Sequence, residues 1–239
     1  MCGGSGPNGN LCEVAMSKRI FSTLLCTSAL LLVTSCGRSF CGHGLTIVHA
    51  ESGPVSIHQM GGDIEVREAP QGADLATMGG NIHLGHVESA ARLHTMGGNI
   101  SVDRAGGSVV ADTMGGEIRI ESAYGPIQAS TMGGNITARI VGASDGQRDI
   151  HLSSKGGTIR LTVPRDFPMD VHATIAYTRN SSQDFRIDEH LGLTQKMSAD
   201  WEEGFGTPRK FIRAAGQVGN GHNHVTIETV NGDIILRQE

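Results

Sequence analysis

The chain has 239 residues, 34 of them glycine, with 18% charged side chains and a net charge of −5. That length suffices for one ordinary domain with additions, and the mild negative charge excludes the clustered basic face that a nucleic-acid binder needs. Scattered glycine would suggest low complexity, but here it recurs at fixed positions beside β-branched residues, which marks an ordered repeat.

In chain order, residues 1–15 resemble neither a signal nor a domain and read as a disordered extension ahead of the true translation start. From Met16 the sequence is MSKR, then an apolar run from Ile20 to Val33, then Thr34-Ser35-Cys36. A short basic end, an apolar stretch of h-region length and small residues at the cut describe an export signal over residues 16–36, too short to span a membrane and stay. A cysteine directly after Val33-Thr34-Ser35 resembles the lipobox of bacterial lipoproteins. That resemblance implies acylation at Cys36, which becomes the mature N-terminus; the alternative is ordinary cleavage nearby, leaving Cys36 and Cys41 able to bridge in an oxidising compartment. Cys2 and Cys12 lie in the extension and Cys26 leaves with the signal, so the five cysteines build no disulfide framework. Residues 37–44 read as a tether.

Residues 45–164 carry one phrase five times: QMGGDIEV, TMGGNIHL, TMGGNISV, TMGGEIRI and TMGGNITA. The methionines are Met60, Met78, Met96, Met114 and Met132, a period of 18 without a slip. A fixed period of this length is the mark of stacked repeats that cover one another's apolar faces. Within a repeat the alternation has period two, which makes strands. Val55 and Ile57 before the first methionine, and Ile64 and Val66 after it, face inward together with their equivalents in each later coil. The predicted fold is therefore all-β, a parallel β-solenoid of 18-residue coils with two strands per coil and a thin core. Rungs would be about 4.8 Å apart and the two sheets about 10 Å apart. Between the strands stand the pairs Gly61-Gly62, Gly79-Gly80, Gly97-Gly98, Gly115-Gly116 and Gly133-Gly134. They are expected to supply the positive φ of a tight reversal.

After Ile140 the segment VGASDGQRD adds five residues, and the next turn is Lys155-Gly156-Gly157 between strands HLSS and TIRLTV. A loop of that size disturbs only one coil edge. Val163-Pro164 closes the repeats, and residues 165–216 hold Phe167, Tyr177, Phe185, Trp201, Phe205 and Phe211, six of the nine aromatic residues. Two longer strands are expected there, in VHATIAYT and DFRID, with QKMSADWEEG a loop or helical turn. This insertion is expected to cap the stack, since an open edge would template aggregation. Residues 217–239 return to the pattern, with Asn231-Gly232 as the turn, and form the last rung.

The recurring T-M-G-G-N-I and V-N-G-D-I resemble bacterial adhesin-like families of unknown function, whose β-solenoid coils carry (T/S)-x-(G/N)-G-(D/N)-I. The resemblance covers residues 45–239. It implies an envelope protein, often lipid-anchored, and offers no catalytic residue to carry over.

Candidate chemistry is sparse. The methionine column suggests a thioether ladder for a soft ion such as Cu(I), but self-packing that covers the turn edge, with an apolar stripe for a partner, is the preferred reading and no metal is expected. Calcium finds one carboxamide or carboxylate per coil, at Asp63, Asn81, Asn99, Glu117 and Asn135, where it needs six to eight oxygens. A hydrogen-bonded Asn ladder along the stack is expected instead. His58 and His94 stand two coils apart, His83 and His86 lie on the other sheet, and His222 and His224 flank Asn223 as a surface pair. Charges at Glu65, Arg67, Glu88, Arg92, Arg119 and Glu121 change sign from coil to coil and read as a solvated face, not a catalytic cleft.

The expected function is a non-catalytic, lipid-anchored envelope protein that presents a rigid surface to an envelope protein or glycan, as a monomer and without cofactor. Trp201, Glu202 and Glu203 are the candidate partner-binding residues. The alternative is a carbohydrate-binding or carbohydrate-active protein that uses the same three residues, with a sugar ring on the indole and carboxylates on its hydroxyls. Expression in a lipidating host should yield a mature chain that begins at Cys36 and carries acyl mass; an intact mass without it removes the lipid anchor.

Overall fold

Alternating apolar residues become strands wherever the repeat predicts them in the computed structural model, which describes residues 39–40, 46–49, 53–142, 147–179, 184–202 and 207–239. The coils are built from β1 (Ser39–Phe40), β2 (Thr46–His49), β3 (Val55–Gln59), β4 (Ile64–Ala69), β5 (Ala73–Thr77), β6 (Ile82–Val87) and β7 (Ala91–Thr95). They continue through β8 (Ile100–Ala105), β9 (Val109–Thr113), β10 (Ile118–Ala123), β11 (Ile127–Thr131), β12 (Ile136–Ile140), β13 (Ile150–Ser154) and β14 (Ile159–Val163). The remaining strands are β15 (Met169–Thr178), β16 (Ile187–Asp188), β17 (Thr194–Met197), β18 (Arg209–Val218), β19 (Asn223–Val230) and β20 (Ile234–Gln238). No helix occurs among the described residues.

Odd and even strands of the coils separate into two sheets, so each turn of the chain contributes one strand to each wall. The first sheet runs β1-β3-β5-β7-β9-β11-β13-β19-β15-β18-β17, and the second runs β16-β20-β14-β12-β10-β8-β6-β4-β2. Pairing within the coils is parallel and steps by one repeat: Ala73 faces Ala91, Leu75 faces Leu93 and Thr77 faces Thr95. The five-residue loop does not break it, because Ile150 faces Ile127 across β11 and β13. The parallel β-solenoid of two strands per coil is therefore the fold.

The core is a single file of inward side chains. Ile64, Leu75, Ile82, Leu84, Leu93, Ile100, Ile118 and Ile120 are all fully buried. A buried side chain of this size contributes roughly 1.5–3 kcal/mol. Strict alternation fails at one place in each of β4, β6, β8 and β10, where two outward residues stand together before a third inward one, whereas β12 and β14 alternate strictly. Arg67 and Glu68 precede buried Ala69, and Arg104 in β8 precedes buried Ala105. The register shifts at this point between β10 and β12, which is a bulge. Sequence alternation alone gave two inward residues in these four strands; the bulge supplies the third.

The glycine pairs hold a different duty from the one expected. Of the ten glycines at the five corners only Gly62 has a positive φ, at 88°. From the second corner on, the second glycine is required by proximity: a Cβ at Gly80 would lie 1.8 Å from the Gly62 carbonyl oxygen, and one at Gly98 1.9 Å from that of Gly80. The same holds at Gly116, Gly134, Gly157 and Gly232, at 1.9 to 2.1 Å. Backbone thus stacks directly on backbone at the corner, where no side chain fits. The first glycine has no such neighbour, since a Cβ at Gly79 would meet nothing within 4 Å.

Four other expectations change. Ser39–Phe40 pairs with His58 and Gln59 in parallel, inside the stretch 37–44 expected to be a tether. The DFRID segment supplies only the two-residue β16; the second long strand is β18, which pairs antiparallel with β15 over ten residues. Its charges and Gly216 hide the period-two pattern of RKFIRAAGQV. Residues 194–197 of the presumed loop form β17 on the outer edge of β18. Finally, β19 is not the last rung of its sheet: it lies between β13 and β15, with β15, β18 and β17 beyond it.

Gly98→Ala should destabilise the fold by about 3 kcal/mol or more, because the intruding methyl meets an immovable carbonyl. Gly79→Ala should stay within about 0.5 kcal/mol of the parent. Chemical denaturation of both variants checks the pair, and equal effects would show that conformation, not contact, selects these glycines.

Candidate functional site

Three columns of side chains run along the corner, each fixed by the repeat. The innermost is hydroxyl. Thr95 Oγ donates to the Gly80 carbonyl at 2.9 Å and accepts the Gly98 N–H at 3.2 Å. Thr113 does the same between Gly98 and Gly116, and Thr131 between Gly116 and Gly134. Ser154 and Thr229 extend the column to Gly134 and Gly157. In the first described coil Gln59 takes the place, with its amide donating to the Gly62 carbonyl at 2.7 Å. Since these hydroxyls are buried, each bond prevents a desolvation cost of about 1–3 kcal/mol.

The second column is the expected carboxamide ladder, with carboxylates among its members. The Asn81 N–H donates to Asp63 Oδ1 at 2.6 Å, the Asn99 N–H to Asn81 Oδ1 at 2.9 Å, and the Glu117 N–H to Asn99 Oδ1 at 2.8 Å. Glu117 is reached by the Asn135 amide at 3.0 Å, and Asn135 Oδ1 receives the Thr158 N–H at 2.9 Å. The Asp63, Asn81, Asn99 and Asn135 oxygens therefore each satisfy the backbone donor one coil further on, while Glu117 accepts from the Asn135 side chain.

The third column points out. Met60 is 66% exposed, and Met78, Met96, Met114 and Met132 are 40 to 49% exposed. The inner methionines are about half exposed, and they stand beside the open first glycines Gly79, Gly97, Gly115 and Gly133.

At the other end, the insertion gathers its aromatic residues. Tyr177 meets Trp201 edge-on with ring centres 5.9 Å apart, and Phe185 at 6.4 Å. The Arg179 guanidinium lies 5.0 Å from the Trp201 ring centre and the Lys210 ammonium 5.4 Å. Cations at this range are attracted by the ring quadrupole. Glu202 is exposed; its backbone bridges Arg209, and its carboxylate lies 3.6 Å from Arg213, which also covers Phe211 at 4.5 Å. Trp201 and Glu202 thus share one end of the fold. Glu203 and Cys36 lie outside the described residues. Arg179, Lys210 and Arg213 were not among the sequence candidates; the alternation of cations with Phe211 in RKFIR was the available signal.

Elsewhere, some charges pair within their own coils, as Arg67 with Glu65 at 3.5 Å and Arg119 with Glu121 at 3.2 Å, and others pair between coils, as Arg139 with Glu239. His222 and His224 are both exposed, as the surface-pair reading has it, but His224 belongs to a strand and not to a loop. It stands on β19, with Nδ1 4.0 Å from Asp170, and Asp170 also meets His172 at 3.5 Å. Asn223 between the two histidines is fully buried. It accepts the Arg148 N–H at 2.7 Å and donates to the Pro168 carbonyl at 2.6 Å, so it ties the loop before β13 to the start of β15. A shallow groove beside it is lined by Val110, Gln128, Asp149, His151, His224 and Thr226. Among the described residues no group of three or more His, Cys, Asp or Glu side chains is placed to hold a metal ion. Among them there is also no helix long and apolar enough to cross a membrane.

The class defined by this architecture is the parallel β-solenoid with a strand-inserted end. No family model matches the chain. No curated protein and no solved structure matches it either.

Trp201→Ala should cost about 1 kcal/mol or more through its aromatic partner. Glu202→Gln should change stability by less than about 0.5 kcal/mol, because the Arg213 pair is solvent-exposed. Thermal unfolding of the two variants measures both.

Proposed function

We propose that the chain is a non-catalytic cell-envelope lipoprotein, anchored through Cys36, whose solenoid presents a rigid surface to another macromolecule. The role is adhesin-type, as the T-M-G-G-N-I resemblance implies. The observation that carries this reading is the continuity of the two corner ladders. A stack whose rungs are joined by hydroxyl and carboxamide bonds holds its outward residues at fixed separations, and a binding surface fixed in advance avoids the entropy of ordering itself on contact. The wall side chains vary from coil to coil, so the surface has a particular chemistry at each height.

Residues 165–216 are the favoured contact region. Trp, Tyr and Arg are the residues that dominate interface energies, and Trp201, Tyr177, Arg179 and Arg213 are clustered there. The partner in this reading is an envelope protein or a glycan. A carbohydrate-active reading draws less support, because the Glu202 carboxylate is turned to Arg213 and the indole already has two cations beside it.

The test is co-sedimentation of the mature chain with isolated envelopes. Trp201→Ala combined with Lys210→Ala should weaken binding at least about tenfold, the loss of one interface anchor. Binding equal to that of the parent removes the insertion from the interface. Glycan turnover that disappears in Glu202→Gln would overturn the non-catalytic assignment.

A further inference from the structure

Most invariant positions of the repeat have a packing reason. Ile64, Ile82, Ile100, Ile118 and Ile136 fill the core, the second glycine leaves room for a carbonyl, and the threonine hydroxyls join the rungs. The methionines have none of these duties, yet all five are kept. Exposed positions around them have drifted: two residues earlier stand His58, Ala76, His94, Asp112 and Ser130, and five residues later Glu65, His83, Ser101, Arg119 and Thr137. The first glycine is equally invariant without being crowded, for a Cβ at Gly97 would have only the Met78 carbonyl oxygen near it, at 3.8 Å. Its effect is to leave a bare lane of backbone beside the sulfurs.

We propose that the methionine column is a binding site for a soft monovalent cation of the Cu(I) class, held between thioether sulfurs of consecutive rungs. The rungs remain hydrogen-bonded at the corner itself: the Gly97 N–H donates to the Met78 carbonyl at 3.2 Å, and the Gly115 N–H to that of Met96 at 3.1 Å. Successive methionine backbones therefore follow the strand spacing, about 4.8 Å. Taking the metal–sulfur distance of zinc thiolates, about 2.3 Å, as a guide, a linear sulfur–metal–sulfur unit spans about 4.6 Å, close to the spacing of neighbouring rungs. Three rotatable bonds in each methionine provide that adjustment. Thioethers are neutral and polarizable, which selects Cu(I) over hard ions. A protein partner suits the column less well, because the stripe is one side chain wide and a stable interface covers about 800 Å² on each partner. The column is independent of the display surface assigned to residues 165–216.

The test is a titration of the full chain with Ag(I), a redox-inert ion of the same softness, after its cysteines are blocked with N-ethylmaleimide. Methyl-¹³C methionine NMR reads each of the nine methionines separately once assigned. Signals of Met78, Met96 and Met114 should shift first. Met197 is 64% exposed but has no methionine on a neighbouring rung. It should respond only at roughly 10²-fold higher concentration, because a lone thioether lacks the second, intramolecular ligand. The triple variant Met78→Leu, Met96→Leu, Met114→Leu keeps size and apolarity and should lose the tight phase. Column and Met197 signals that move together overturn the proposal, as does a tight phase that survives in the leucine variant.

Discussion

The structure depends on one contact, the near-touching of backbone on backbone at the Met-Gly-Gly corner. Gly80, Gly98, Gly116, Gly134, Gly157 and Gly232 each sit under 2.2 Å, measured from an ideal Cβ, from the carbonyl of the coil before. Because nothing larger than hydrogen fits, the coils can stack only with their corners aligned, and that alignment fixes everything else. It places each threonine between two glycines, each carboxamide under the next N–H, and each isoleucine on the isoleucine of its neighbour. Register in a flat sheet is set weakly when side chains are small; here the corner sets it in every coil.

The fold was legible in the sequence to the extent that residues repeat. Five identical corners announced the period, the two-residue alternation announced the strands, and the inward threonines and outward methionines followed from it. The reason for the glycines was not legible, because a residue chosen for positive φ and one chosen for close approach look the same in a sequence. The bulge before Ala69, Val87, Ala105 and Ala123 was hidden for a similar reason: a small apolar residue after two polar ones resembles a turn. In the insertion the repeat no longer helps, and β18 escaped notice because its outward face carries Arg209, Phe211 and Arg213. Trp201 and Glu202 could be singled out by residue type, but their partners Arg179, Lys210 and Arg213 are 9 to 22 residues away in sequence and are brought in by strand pairing.

The insertion also answers the problem of unpaired edges. The first sheet ends in β17, four residues long, with all four side chains exposed and Lys196 among them. The second ends in β16, only two residues long. Short strands and an edge lysine are poor templates for another chain. Phe167, the largest fully buried side chain among the described residues, stands where the chain leaves the regular coils.

The position of β19 between β13 and β15 has a consequence for how the molecule is made. The strand synthesised among the last is the one that joins the regular coils to everything beyond them. Until residue 230 has emerged, β13 and β15 are two bare parallel edges with a strand-wide slot between them, and β15 can hold only to β18. Assembly of this end is thus long-range and slow by nature. A ribosome or export channel that stalls short of the C-terminus releases a chain whose sheet has a gap in its interior.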